Sequence, residues 1–342
     1  MAQKDLAQKD PAQRPQILII GGGAWGAAIA AILTKQPHLD ATCLVRDEAT
    51  AKALSSGIVP RLDNMPLPCT LDATTDEALI AHADAIYLVL PAAATGEAIA
   101  LIERTARPDC PIILCAKGLI DVADTTGSTG TTALLLPEFM KQAAPNRAFA
   151  MLSGPSFADE VIKGLPCALV ASSSSKALAD EIVRHFTHST MRLYSNDDPM
   201  GVAVGGAVKN VIALAAGISA GLGLGDNAKA ALITRGLAET GRLITALGGN
   251  PNVLNGLAGM GDLTLTAAGP HSRNMAYGLA LGAGKPLPDA LAEGARTAPI
   301  LHQRATALGI EMPITHAVTK ALQGADLTML ITELLARPPA PE

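Results

Sequence analysis

The chain has 342 residues, of which 49% are hydrophobic and only 2% aromatic, and its formal net charge is −5. This apolar content is enough for a large core and excludes a wholly disordered chain. The acidic balance and the few aromatic side chains exclude the usual nucleic-acid-binding surfaces, which are basic and stack bases on rings. At roughly 150 residues per domain, the length fits one large domain or two ordinary ones. The 32 glycines predict close approach of backbones to one another or to a ligand.

The first residues, MAQKDLAQKDPAQRP, are polar and lack the apolar segment of a secretory signal. We interpret residues 1–15 as a disordered tail. The five cysteines form no CxxC pair, so neither a zinc knuckle nor a redox pair is indicated. Isolated cysteines in apolar runs fit a reducing compartment, and we therefore expect a cytoplasmic protein.

Apolar runs alternate with helical segments along the first 197 residues. The predicted strands are residues 16–20, 41–45, 85–90, 111–116, 149–152, 168–171 and 191–194, and helices are predicted over residues 24–35, 47–56 and 95–106. This alternation predicts an α/β domain, a doubly wound parallel sheet with helices on both faces.

From Pro199 onward the sequence shows helical patterns and no convincing strand. The predicted helices are residues 199–219, 227–247, 272–281, 289–308 and 314–323. We therefore place a dinucleotide-binding domain at residues 16–197 and an all-α domain at residues 198–342, with a ligand cleft expected between them. The long apolar stretch at residues 202–224 contains Lys209, which favours a buried helix over a membrane span.

A glycine loop, Gly21-Gly-Gly-Ala-Trp-Gly26, follows the first strand and opens a helix. In that context GxGxxG predicts a Rossmann-type dinucleotide site. Gly21 would permit the tight turn, Gly23 the approach of a pyrophosphate and Gly26 close packing of helix on strand. The helix N-terminus would hold the phosphates. Trp25 would either cover the dinucleotide or pack under the loop.

The second strand ends at Arg46-Asp47-Glu48, where dinucleotide-binding domains read the adenosine ribose. An arginine there can accommodate the 2′-phosphate of NADP, whereas an acidic residue favours NAD. Arg46 therefore favours NADP, and Asp47 keeps NAD open unless it only caps the next helix. Both NADP and NAD stay candidate cofactors.

Several later segments complete a pattern with this loop. They are residues 115–118 (CAKG), 152–158 (LSGPSFA), 205–210 (GGAVKN), 223–228 (GLGDNA), 234–239 (TRGLAE), 259–263 (GMGDL) and 272–274 (SRN). In this order the chain resembles the bacterial-type NAD(P)-dependent glycerol-3-phosphate dehydrogenases from about Gln16 to Leu335. The resemblance implies a 6-phosphogluconate-dehydrogenase-like fold and reversible reduction of dihydroxyacetone phosphate to sn-glycerol 3-phosphate, at the head of glycerophospholipid synthesis. Ala24 departs from the family, which often has serine or threonine there, so only a backbone contact to the cofactor is expected.

Lys209 lies among small and apolar residues, where lysine is rarely buried without a partner. Removal from water favours the neutral amine, and a lysine so tuned can give a proton to a ketone oxygen as hydride reaches the carbon. The resemblance implies this acid/base role for Lys209 and a substrate hydrogen bond for Asn210. The alternatives are an ion-paired lysine and a surface amide.

Two further charged residues are candidates for the chemistry. The glycines around Asp262 suit a sharp turn that aims its carboxylate into the cleft, toward Lys209, Lys117 or a substrate hydroxyl. The alternative for Asp262 is a helix N-cap. Lys117 ends a predicted strand, where doubly wound sheets bind ligands, and the resemblance places it between substrate and nicotinamide. A solvated lysine is the alternative.

A phosphate clamp is predicted at the start of the helix after Gly269-Pro270. Free N–H groups and an arginine fork match a phosphate dianion in charge and geometry. The resemblance assigns this role to Ser272, Arg273 and Asn274, with Arg273 also reaching the cofactor, and Thr266 could add a hydroxyl. Ser272 could equally be an ordinary N-cap.

The remaining candidates rest mainly on the resemblance. It implies substrate contacts for Gly154 and Ser156 and cofactor contacts for Ala158, Leu291 and Glu293. A plain helix cap and an exposed helix glutamate are the alternatives.

Other functions are kept as alternatives. A related two-domain reductase would act on a 2-keto or 3-hydroxy acid, but such a substrate needs no phosphate clamp. A dinucleotide-binding sensor without turnover would need no proton donor. His185 and His188 lack a third ligand, so we expect no metal, and we expect a homodimer with neither a nucleic-acid partner nor a membrane span.

Overall fold

The computed structural model describes residues 14–123, 131–289 and 292–336. The chain divides into two compact units, Met1–Pro199 and Met200–Glu342. All but the last two residues of the predicted tail, and also Leu291, lie outside the described residues.

The first unit contains strands and helices in alternation. Its strands are β1 (Gln16–Ile20), β2 (Asp40–Leu44), β3 (Ile58–Val59), β4 (Met65–Pro66), β5 (Asp72–Thr74), β6 (Ala85–Leu88), β7 (Ile112–Leu114), β8 (Leu119–Ala123), β9 (Thr131–Leu135), β10 (Phe149–Ser153), β11 (Cys167–Ser172) and β12 (Met191–Asn196). Its helices are α1 (Ala24–Leu33), α2 (Glu48–Ser55), α3 (Ala92–Thr105), α4 (Leu136–Ala143), α5 (Ala158–Ile162) and α6 (Lys176–His185).

Among the described residues, eight strands form one sheet in the order β12-β11-β10-β7-β6-β1-β2-β5. β1 pairs in parallel with β2 on one side and with β6 on the other. The chain thus winds outward from β1 in both directions. The carboxyl ends of β1 and β6 mark the point where strand order reverses, which is where such sheets bind ligands.

The predicted α/β class with a doubly wound parallel sheet is confirmed, with one antiparallel pair that the sequence did not predict. β11 runs antiparallel to β10, and β12 then runs parallel to β11. The helix between β10 and β11, α5, has only five residues. At 1.5 Å per residue it spans about 7.5 Å, too short to carry the chain back along a strand of about 20 Å. The chain therefore reverses direction instead of crossing over.

The core of the first unit is aliphatic. Residues from Ala27 to Leu33 of α1 are at most 8% exposed, and Ile17 and Ile19 of β1 face them in one buried cluster. Tyr87 is fully buried, and its hydroxyl lies 2.8 Å from Nδ1 of His185. Burial lowers the pKa of His185 to about 4, so this ring is neutral and serves packing.

The second unit is helical, and no strand occurs in its described residues. Its helices are α7 (Pro199–Gly221, beginning at the unit boundary), α8 (Gly225–Ala246), α9 (Asp262–Ala267), α10 (Arg273–Gly282), α11 (Glu293–Ala307), α12 (Pro313–Leu322) and α13 (Leu327–Leu335). By length and composition α7 could cross a membrane, yet 89% of its most apolar window is buried inside the protein. It is the central helix of this unit.

Helices α7 and α10 touch through glycine. A Cβ on Gly278 would lie 2.1 Å from the carbonyl oxygen of Leu214, and one on Gly282 would lie 2.3 Å from that of Ile218. From the other side, a Cβ on Gly217 would lie 2.4 Å from the carbonyl oxygen of Met275. The contacts advance together along both helices, so the helices run parallel with their backbones in contact. The close approach predicted from the glycine content is confirmed here.

Candidate active site

Of the four glycines in the loop, Gly21, Gly22 and Gly26 are closely packed and Gly23 is open. Gly21 has φ +123°, and a Cβ there would lie 2.3 Å from the carbonyl oxygen of Val89. A Cβ on Gly26 would lie 1.8 Å from the carbonyl oxygen of Gly21. At Gly23, the N-cap of α1, a Cβ would meet no described atom within 4 Å. The start of α1 therefore offers backbone N–H groups beside open space, which is the geometry of an anion site.

The neighbouring cofactor candidates are placed differently. Trp25 is half-buried and packs against the core, as the packing alternative predicted. Asp47 caps α2, because its carboxylate accepts from the backbone N–H of Thr50 at 2.8 Å and from its hydroxyl at 2.9 Å. These bonds hold the pKa of Asp47 below its usual range. Arg46 is exposed just after the end of β2, next to Asp47, whose carboxylate already caps α2.

Lys117 is tethered to the turn after β10. Its Nζ donates to the carbonyl oxygen of Gly154 at 3.1 Å, and Ser156 Oγ donates to the same oxygen at 3.2 Å. Gly154 has φ +143°, and its Cβ would lie 3.0 Å from Cα of Leu169, so the turn requires glycine. Ala158 is the first residue of α5. Since β7 and β10 pair in parallel, these candidates gather at one edge of the sheet.

Lys209 of α7 forms a buried ion pair with Asp262. Its Nζ lies 2.6 Å from Asp262 Oδ1 and donates to Thr266 Oγ1 at 3.0 Å. The side chains of Lys209 and Asp262 are 10% and 2% exposed. The N-cap of α9 is Gly261, so the N-cap alternative for Asp262 is wrong. The ion pair left open as an alternative for Lys209 is present.

Asn210 belongs to a chain of buried hydrogen bonds. Its Nδ2 donates to Glu293 Oε2 at 3.2 Å, and its Oδ1 accepts from Asn274 Nδ2 at 2.9 Å. Asn274 Oδ1 in turn accepts from the backbone N–H of Gly294 at 2.8 Å. The surface-amide alternative for Asn210 is wrong, since its residue is only 4% exposed.

The residues predicted to bind the phosphate differ in their surroundings, since one of them caps a helix and another is an exposed arginine. Ser272 is the N-cap of α10, and its hydroxyl accepts from the backbone N–H of Met275 at 3.4 Å. Arg273 follows it and is exposed. Thr266 is committed to Lys209 and to the carbonyl oxygen of Asp262. The structure thus brings Lys209, Asp262 and Thr266 together.

Sequence reasoning missed two residues in the helical unit. Gly294 sits so close to α7 that its Cβ would lie 2.4 Å from the carbonyl oxygen of Asn210. Glu239 is fully buried and accepts from the backbone N–H groups of Ile314 and Thr315 and from the Thr315 hydroxyl. In the sequence, burial of Glu239 was signalled by its place after Gly236, Leu237 and Ala238, on the inward side of a helix.

Residues 16–179 match the NAD-dependent glycerol-3-phosphate dehydrogenase N-terminus, and residues 198–331 match the C-terminus of the same family. The chain belongs to this family. The family resemblance read from the motifs is thereby confirmed.

Members of the family align with this chain over almost its whole length. It is 43% identical over 325 residues to the glycerol-3-phosphate dehydrogenase (NAD(P)+) of Bradyrhizobium sp. (strain ORS 278), covering 94% of this chain and 96% of the relative. It is 40% identical over 336 residues to the enzyme of that name from Gluconobacter oxydans, covering 96% and 99%. The solved glycerol-3-phosphate dehydrogenase of Coxiella burnetii is similar with a TM-score of 0.84 at 35% identity, covering 95% and 99%.

Proposed function

We propose that this protein is an NAD(P)H-dependent enzyme that reversibly reduces dihydroxyacetone phosphate to sn-glycerol 3-phosphate and supplies glycerophospholipid synthesis. We further propose that it acts in the cytoplasm as a homodimer. The observation that carries the proposal is the buried Lys209–Asp262–Thr266 cluster. It gives a fixed ammonium donor to a chain whose family acts on a phosphorylated three-carbon compound.

The glycine loop fits a dinucleotide. The open space outside Gly23 and the N–H groups at the start of α1 suit a pyrophosphate. Arg46 would pair with a 2′-phosphate, since Asp47 is used as a cap. The other proposed cofactor contacts are Gly21, Ala24, Trp25, Gly26, Lys117, Ala158, Arg273, Leu291 and Glu293. When bound, NAD(P)H supplies the hydride.

Lys209 is the proposed proton donor. Its Nζ gives a proton to the ketone oxygen as the carbonyl carbon accepts hydride, so the product is the secondary alcohol and the amine is later reprotonated from solvent. Asp262 and Thr266 hold the ammonium group in place. Lys117, held by the carbonyl oxygen of Gly154, is a further proposed catalytic and substrate-binding residue. Gly154, Ser156 and Asn210 are the other proposed substrate ligands.

Arg273 is the proposed phosphate ligand. It stands at the first position of α10, where helix N–H groups and the guanidinium both favour a dianion. Ser272 caps the helix and holds this end in place. A 2-keto acid carries a single negative charge on a carboxylate next to its carbonyl carbon, whereas a phosphate ester brings a dianion that matches both the guanidinium and the helix N-terminus. This pairing favours a phosphorylated substrate over the keto-acid alternative.

The test is oxidation of NADH and NADPH with dihydroxyacetone phosphate, beside unphosphorylated dihydroxyacetone and 2-keto acids. We expect turnover with the phosphate ester and a kcat/KM about 10- to 150-fold lower without phosphate, because a charged hydrogen-bonded contact contributes about 1.5–3 kcal/mol. Faster turnover of a 2-keto acid would establish the alternative reductase. Absence of turnover with tight dinucleotide binding would establish the sensor. Light scattering on the purified protein tests the homodimer, which requires twice the mass of one chain.

A further inference from the structure

Two histidines of the helical unit face each other from neighbouring helices. His302 lies on α11 and His316 on α12, and Nε2 of the first is 3.0 Å from Nδ1 of the second. The ring centroids are 4.5 Å apart and the ring planes meet at 58°. Both residues are half-buried. In a neutral pair one nitrogen donates its proton to the lone pair of the other, so a single proton joins the two rings.

The helices that carry this pair are held in place by buried bonds. Glu239 of α8 accepts from two backbone N–H groups in the first turn of α12 and so fixes that end of the helix. The backbone N–H of His316 then donates to the carbonyl oxygen of Met312 at 2.9 Å. His302 lies well inside the 15-residue helix α11. The two rings are therefore brought together by the fold before any ligand binds.

The separation of the two nitrogens matches the spacing of neighbouring ligands on a metal ion. Zinc–imidazole bonds are about 2.0–2.1 Å long, and two of them at about 90–109° place their nitrogens about 2.8–3.4 Å apart. Burial first, and then His316 and Lys320, lower the pKa of His302, so this ring is neutral near pH 7. When the shared proton moves to the other nitrogen of its own ring, both facing nitrogens offer a lone pair. A turn of each ring about its Cβ–Cγ bond then aims the two lone pairs at one point.

There is room beside the pair for an ion and its water. Both rings line a cavity of about 360 Å³, which Glu311 and Glu333 also line. Carboxylates at a cavity wall favour a cation. In the part of the chain that the structure describes, no third histidine, cysteine, aspartate or glutamate completes a metal-binding group with the pair. Water would therefore occupy the remaining positions around the ion, as it does at open zinc sites.

We propose that His302 and His316 form a binding site for a divalent cation of the zinc class, which joins α11 to α12. Imidazole nitrogen suits zinc, copper and nickel, whereas magnesium and calcium prefer oxygen ligands. The site is separate from the proposed chemistry, because His302 is about 13.5 Å along α11 from Glu293 at the start of that helix. It is also distinct from His185 and His188, for which the sequence predicts no metal.

Calorimetric titration of the purified protein with Zn²⁺ tests the site directly. Half of the ligands of a four-ligand zinc site should supply roughly half of its binding free energy, which corresponds to a dissociation constant of about 1–200 µM. We expect one Zn²⁺ per chain in that range and no binding of Mg²⁺ at the same concentrations. Absence of Zn²⁺ binding up to about 1 mM would overturn the proposal.

Variants of the pair decide whether it is the ligand set. His302→Ala and His316→Ala should each weaken Zn²⁺ binding at least about ten-fold, since even a partner outside the ligand shell contributes that much. The double variant His302→Gln/His316→Asn puts amides in place of the two facing nitrogens, so it retains hydrogen-bonding groups between the helices but no imidazole, and it should lose Zn²⁺ too. Exposed His82→Ala is the matched control and should bind Zn²⁺ as the wild type does. Unchanged affinity in the pair variants would place the ion elsewhere and overturn the proposal.

Urea denaturation separates a bound ion from a structural effect of the substitutions. In metal-free buffer the double amide variant should unfold at nearly the same urea concentration as the wild type. With Zn²⁺ above its dissociation constant, the midpoint should rise for the wild type and stay constant for the double variant, because the ion binds the folded chain. An equal rise in both proteins would show that Zn²⁺ acts through other groups and would overturn the proposal. These measurements use neither dinucleotide nor substrate, so their outcome is independent of the proposed function.

Discussion

At Lys209 two physical effects act in opposite directions. Burial favours the neutral amine, whereas the Asp262 carboxylate, 2.6 Å away, favours the ammonium ion. Opposite unit charges attract by about 4 kcal/mol at 4 Å in an effective dielectric of 20, and this pair is closer. That attraction is comparable to the effective desolvation cost of several kcal/mol per ion. The ion pair holds Nζ in a largely buried position, with 10% of the Lys209 side chain and 2% of the Asp262 side chain exposed, and under the proposed function this is the group that donates the proton.

The first prediction removes that proton. Lys209→Ala should lower kcat by roughly 10²–10⁴ while dinucleotide affinity stays within a few-fold, because the lost group acts on the substrate oxygen. Steady-state kinetics and a fluorescence titration with NADPH measure the two quantities.

The control for this variant concerns the orphaned carboxylate. Asp262 without its partner destabilises the fold by about 3–5 kcal/mol, so the double variant Lys209→Ala/Asp262→Asn should recover stability but not activity. Near wild-type kcat in either variant would remove Lys209 from the mechanism.

A second prediction concerns cofactor choice. Arg46→Ala should raise KM for NADPH by about ten-fold or more and leave KM for NADH nearly unchanged, because only NADPH carries the phosphate that the guanidinium would meet. Exposed Arg104→Ala, on α3, is the charge-matched control and should alter neither constant. Equal changes for both cofactors would exclude Arg46 from the selection.

Single residues also show where sequence reasoning stopped. The sequence left open whether Asp47 reads the ribose and whether Asp262 caps a helix, because both roles suit an aspartate before a helix. The structure assigns the cap to Asp47 and the ion pair to Asp262. Only the backbone geometry at each helix start distinguishes them, and that geometry depends on contacts distant in sequence.

At the scale of elements, strands were predictable where an apolar run ended at glycine or proline. β1 was predicted with its observed bounds, and β10 to within one residue. The hairpin of β8 with β9 was missed, because short mixed segments carry no clear period. The antiparallel direction of β11 was also missed, since apolar runs carry no directional information.

The contact between α7 and α10 yields a third prediction. Gly278→Ala should lower the free energy of unfolding by about 1–3 kcal/mol or more, because its Cβ would overlap a carbonyl oxygen of α7 that cannot move away. Chemical denaturation with circular dichroism measures the change. Gly269→Ala is the matched control, since its Cβ would meet no described atom within 4 Å, and it should change stability by under about 0.5 kcal/mol. Equal stability of both variants would contradict the backbone contact.

At the scale of the whole molecule, stability should depend on pH through Glu239. Burial raises the pKa of this carboxyl to about 7, although hydrogen bonds from Ile314 and Thr315 act in the opposite direction. A carboxyl with a raised folded-state pKa binds its proton more tightly in the folded chain than in the unfolded chain. Its contribution to stability is therefore full below the ordinary pKa of 4.5 and falls as pH rises toward 7.

The fourth prediction follows from that sign. Between pH 5 and 7 the free energy of unfolding of the wild-type chain should include a decrease of up to about 1.4 kcal/mol per pH unit that Glu239→Gln lacks. Urea denaturation of both proteins across this range gives the difference. Glu97→Gln, at an exposed carboxyl on α3, should retain the wild-type slope. Parallel pH profiles for wild type and Glu239→Gln would contradict the prediction, because they would show that Glu239 has the same pKa in the folded and the unfolded chain.

Because α7 and α10 meet backbone to backbone, neither helix can slide or turn against the other without driving a carbonyl oxygen into a glycine Cα. Lys209 on α7 and Arg273 at the start of α10 therefore keep a constant separation. Under the proposed function, Lys209 contacts the ketone oxygen and Arg273 contacts the phosphate of the same substrate molecule. The fixed spacing of the two helices then selects substrates by length: it accepts the short span from ketone to phosphate and rejects ketose phosphates in which added carbons lie between the two groups and move them apart.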